Sequence, residues 1–172
     1  MASFKYVGQL NGAENPILRT YLIKNSASVA VGEALTFSSG VDSAAAGNKI
    51  VGICVGIVDK NGIDLDNTAL TVDGTWVSST KTYTAAADNV TVGYFRAQVI
   101  ADKDALFYND SDDTMTPVME GQKFNLISAT QIDGDTNVDA AGQFELVKWD
   151  ANDTSAGTFK ICESYGDAYV QQ

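Results

Sequence analysis

From Ile50 to Val58 the chain reads IVGICVGIV, apolar or glycine at every position, and any fold the chain adopts must bury this run. A helix is the competing reading. Two interior glycines and a β-branched majority count against it, because glycine costs about 1 kcal/mol inside a helix and Val and Ile pack best on a pleated surface. With a period of two, Val51, Ile53, Val55 and Ile57 share one face, and Ile50, Gly52, Cys54, Gly56 and Val58 share the other. The run is expected to be a central strand buried on both faces, its glycines marking a close approach of another layer of backbone.

At 172 residues and 45% hydrophobic, the chain can enclose one core but not two independent ones. No apolar run approaches the roughly 20 residues needed to span a bilayer, so no membrane partner is expected. The N-terminus, MASFKYVGQLNG, has no signal-peptide block, which points to synthesis and folding in the cytoplasm. Cys54 and Cys162 lie far apart in hydrophobic strand patterns and are expected to act as small buried hydrophobes. The formal charge of −11 would repel nucleic acid. Residues 1–26 depart from that balance, with Lys5, Arg19 and Lys24 against Glu14, a net of +2 that leaves −13 for the rest. This asymmetry reads either as solvated basic residues or as an arm suited to an acidic protein surface.

The rest of the chain is a succession of short β-prone runs. Phe4, Tyr6 and Leu10 fall on one parity, then NGAENP turns the chain into the alternating run from Ile17 to Ile23. Further strands are read around Leu35 to Phe37, from Tyr94 to Ala101, and in ALFYN, QKFNLIS, QFELVKWD and TFKICES. Acidic or glycine-bearing turns separate them, among them NDSDDT, DGDTNVDAAG and DANDTSAG. The tail SYGDAYVQQ is expected to order only against a partner. AAAGNKIVG at residues 44–52 echoes AAADNVTVG at residues 85–93; a duplicated β-unit or two similar loops would each explain it. The pattern predicts an all-β, single-domain β-sandwich or β-barrel of short strands with an extended N-terminal arm. Residues 1–26 form the arm or a hairpin, packing on the body or on a partner, and residues 27–172 form the all-β body.

The chain has no histidine, which removes Ser/His and Cys/His nucleophile pairs and most catalytic zinc sites. Carboxylate pairs remain possible in principle, as in a hydrolase, yet the acidic residues fall mostly in turns, and no glycine-rich phosphate loop is present. No enzymatic activity, cofactor, metal or small-molecule substrate is expected. Asp133-Gly134-Asp135-Thr136-Asn137-Val138-Asp139 spaces its oxygens like the start of a calcium loop, but Val138 stands where the sharp bend needs glycine and Phe144 where a bidentate glutamate belongs. A solvated hairpin loop is the plainer account. Trp76, Trp149 and the seven tyrosines offer either core and rim filling or a sugar-stacking platform.

The organisation VAVGEALTFSSGVDSAAAGNKIVGICVGIVDKNG at residues 28–62, a short strand after Val-x-Val-Gly-Glu, a Ser-Gly turn, an alanine-rich loop and a Val-Gly-Ile strand, resembles the capsid decoration (head-stabilising or cementing) proteins of tailed bacteriophages. The resemblance implies a small β protein on the outer surface of the virion. It would bind the assembled head, often as a homotrimer, and hold neighbouring major capsid protein subunits together. Ser3 to Gln9 or Ile17 to Lys24 would then add a strand to an edge of the shell protein. Phe4, Lys5, Tyr6, Arg19, Tyr21 and Lys24 are the residues expected to make that contact, and loss of residues 1–12 is expected to leave the body folded. The alternative is a host-surface or glycan-binding β module of a phage fibre.

Overall fold

A computed structural model describes residues 3–65, 74–137 and 142–162, and these residues are almost entirely β. In chain order the strands are β1 (Lys5–Gln9), β2 (Leu18–Leu22), β3 (Ser28–Ala30), β4 (Ala34–Phe37), β5 (Val41–Ser43), β6 (Gly52–Asp59) and β7 (Gly74–Val77). They continue with β8 (Thr82–Ala85), β9 (Phe95–Ile100), β10 (Ala105–Asp110), β11 (Lys123–Ser128), β12 (Gln131–Asn137), β13 (Phe144–Trp149) and β14 (Ala156–Ile161). One helical turn, α1 (Asn89–Val92), precedes β9, and a 3-10 turn covers Pro117–Met119.

All strand pairing within the sheets is antiparallel, as short strands joined by tight turns require. A six-stranded sheet runs β1-β10-β14-β13-β11-β12, a five-stranded sheet β2-β9-β6-β4-β5, and a three-stranded sheet β3-β8-β7. None closes into a barrel, although two of them curl. In the five-stranded sheet, Ile23 bridges to Val41, so the end of β2 touches β5, and the Lys24 ammonium fastens that contact on Asp42 at 3.1 Å. In the six-stranded sheet, Ser111 bridges to Ile132 and brings the end of β10 against β12.

The five-stranded sheet contributes to two cores. Ile53 and Ile100 join one with Phe107, Phe124, Phe144 and Phe159 of the six-stranded sheet. Cys54, Ile57 and Val99 join the other with Val29, Tyr83 and Ala85 of the three-stranded sheet. Hence β6 is central and buried on both faces, but its parity is not the simple alternation read from the sequence. Cys54 lies opposite Val99 and Gly56 opposite Gln98, leaving Val55 as the extra residue of a bulge, 38% exposed. A bulge inverts the faces beyond it, which is why Ile53 and Ile57 lie in different cores. The glycines answer to the neighbouring strand, not to another layer. A Cβ on Gly52, at φ +152°, would run into the Ile100 carbonyl and come within 2.5 Å of a Val99 methyl.

Two buried side-chain amides join these parts. Asn89 donates to the carbonyls of Ile23 (2.6 Å) and Phe95 (3.1 Å) and accepts from the Phe95 amide (3.0 Å), tying α1 to β9 and to the end of β2. Gln143 donates to the carbonyls of Ala45 and Asn48 and accepts from the Leu126 amide, so the loop before β6 is bonded to the six-stranded sheet. The alanine-rich echo is not a repeated structure. Residues 47–51 run as turn and coil into β6, whereas the matching residues form α1 before β9.

The stretch DGDTN, expected as a turn, belongs to β12; the 138–141 part of the calcium-like loop lies outside the described residues, as does the tail from residue 163. Alternation is what hid this strand, because Asp133 and Asp135 with an intervening glycine carry no apolar face of their own. Among the described residues no cluster of three or more potential metal ligands occurs, and no helix is long and apolar enough to cross a membrane.

Candidate partner-binding site

Residues 3–26 do not form a hairpin. β1 pairs with β10 in the six-stranded sheet and β2 pairs with β9 in the five-stranded one, so the NGAENP turn crosses between sheets. The six residues expected to contact a partner are accordingly divided. Phe4 is 4% exposed, stacked on Phe144 at 4.8 Å and edge-on to Phe107, so its ring serves the core and is withheld from any partner. Tyr6 packs half-buried against Phe107, and Tyr21 against Phe37. Arg19 lies opposite Val99 on the inward-facing side of β2 and is half-buried. Lys24 is held by Asp42. Of the six, Lys5 alone stands exposed. Register places it in one transverse row with Tyr108, Thr158 and Lys148 on the outer face of the six-stranded sheet.

What the N-terminal segment does present is apolar. Val7 (54%), Leu10 (49%), Ile17 (53%) and Leu18 (59%) are among the most exposed large hydrophobic residues of the chain. Val7 shares the exposed parity of Lys5 and is the unpaired residue of a bulge between Tyr6 and Gly8 on β1, an end strand of its sheet among the described residues. The other three are gathered at one corner by Asp102. Its carboxylate accepts from the Gln9 side-chain amide (2.9 Å), the Ile17 backbone amide (3.2 Å) and the Asp104 amide (2.9 Å). The Leu10 amide donates to the Asp104 carbonyl, and the Ala101 amide to the Ile17 carbonyl. The turn itself is capped locally, with Asn11 bonded to Asp104 and accepting from Ala13. Asp102 was invisible to sequence reasoning, since it follows a strand as turn aspartates commonly do and its partners lie 93 and 85 residues away.

Among the described residues the two tryptophans do not share a platform. Trp76 packs beside the core under the three-stranded sheet and Trp149 beside the core under the six-stranded one. At the β13–β14 turn, Tyr108 donates to Asp150 at 3.0 Å, beside a shallow cleft of about 340 Å³. Burial, then this bond, pushes the phenol up to about 12, while the Asn152 amide and then the Tyr108 hydroxyl hold the Asp150 carboxyl below its usual range. Cys54 and Cys162 are free and buried, their thiols pushed by burial up to about 12 and about 11, which removes them from nucleophilic chemistry near neutrality. Set against known protein families, curated proteins and solved structures, the chain matches none of them.

Proposed function

We propose that this chain is a capsid decoration protein of a tailed bacteriophage, binding the outside of the assembled head and holding major capsid protein subunits together. The resemblance of residues 28–62 motivates the family; the observation that carries the contact is the N-terminal corner. There β1, whose outer edge is unpaired among the described residues, adjoins apolar side chains, Leu10, Ile17 and Leu18, that are held at the surface by a buried carboxylate. Surface-held apolar groups of this kind mark interaction sites, and an open edge offers backbone donors and acceptors to an added strand. On this reading the contact lies on a corner built from paired strands of the body.

The test is a binding titration of the purified chain onto expanded, undecorated heads. Saturable binding is expected, lowered at least tenfold by Leu10→Asp with Leu18→Asp, two exposed positions whose replacement spares the core. A wild-type chain that ignores heads ends the reading. Signal on a glycan array would instead favour the fibre module.

A further inference from the structure

The same corner encloses a cavity of about 470 Å³, within the ~300–1,000 Å³ of sites that take small ligands or single side chains. Ile17, Val51, Ala101 and Ile161 give it an apolar wall, and Gln9, Asp102 and Asp104 a polar one. That polar wall is short of donors. Asp102 is 7% exposed, and no cation pairs with it among the described residues. Three hydrogen bonds reach its carboxylate, which has room for about four. Gln9 Oε1 is buried and accepts none. Asp104 adds a second carboxylate, against the single ammonium of Lys103 at the lining. A buried carboxylate without a matching cation is costly, and a cation held in the cavity relieves it.

The geometry points to this cavity as a site for an aliphatic cation: a guanidinium or ammonium head donating to Asp102, on a hydrocarbon stem lying along Ile17, Val51 and Ile161. A guanidinium suits it best, since it presents several donors in a plane and sheds water more readily than an ammonium. The −11 charge of the chain draws cations toward it from a distance. A neutral polyol would leave the charge unmatched. That the cation arrives as an arginine or lysine side chain of a partner protein rests on the docking function proposed above; that the cavity takes a cation does not.

L-Argininamide is titrated into the full chain and followed by amide chemical shifts, with L-citrullinamide as the neutral isostere. Saturable shifts at Gln9, Ile17, Asp102 and Asp104 are expected from argininamide alone. Asp104→Asn, which keeps the shape and removes a charge, should weaken it roughly two- to fivefold, as a partly exposed ion pair allows. Equal shifts from citrullinamide, or no saturable shift at this corner, overturn the site. Head binding is scored apart. Argininamide that binds while heads are ignored keeps the cavity and removes the docking function; heads bound unchanged in saturating argininamide remove the partner as the source of the cation.

Discussion

Gln143 carries more of the fold than its position before a strand announces. It is fully buried; two of its three bonds cross to the loop that feeds β6, and the third holds the Leu126 amide of its own sheet. Gln143→Leu should cost about 2–3 kcal/mol, since the Leu126 amide is left buried without a partner, and the loss is read as a lower urea midpoint at unchanged slope. The thiols give a second residue-scale expectation. Burial raises Cys54 from 9.0 to about 12, so the stability linked to its protonation is fully present below pH 9.0 and is lost as pH rises through the folded value. Cys54→Ala should therefore flatten the fall of melting temperature with alkali. In native protein at neutral pH a disulfide-exchange reagent should find neither thiol, and in denaturant both.

At the scale of elements, β1 is an integral strand. Phe4→Ala should cost about 3–5 kcal/mol, as large-to-small changes in an aromatic core do. Removal of residues 1–12 should then lose cooperative unfolding, measured by urea titration, because it strips both that ring and an edge strand; a truncated chain that unfolds at the wild-type midpoint would return the segment to the status of an arm. The sequence announced β6, β9, β10, β11, β13 and β14 because each has an apolar run or alternation that only burial explains. It did not announce the bulge at Val55, since an inserted residue leaves the composition of a strand untouched and shows only in the register with β9. Nor did it announce β12, where aspartates on a strand read as a turn. The corner at Asp102 was half legible: the NGAENP turn and its flanking apolar residues were visible, while the carboxylate that assembles them depends on contacts across most of the chain.

For the whole molecule, charge and fold stability separate on the acid side. Net charge falls from −11 toward zero near pH 4.2, and with it the repulsion that keeps copies apart. The carboxyls of Asp59 and Asp150 are held below 3.8, the former chiefly by the Ile63 amide and the latter by the Asn152 amide. A depressed folded value means that the stability each contributes is present above 3.8 and is lost only as pH falls through the lower folded value. Association should thus come before unfolding. Light scattering should rise near pH 4.2 while the near-ultraviolet dichroism of the buried tyrosine and phenylalanine core is still native, and further acid should disperse the particles as that signal fades. An aromatic signal that fades at higher pH than the scattering rises would reverse the order and place the acid-sensitive step in the fold itself.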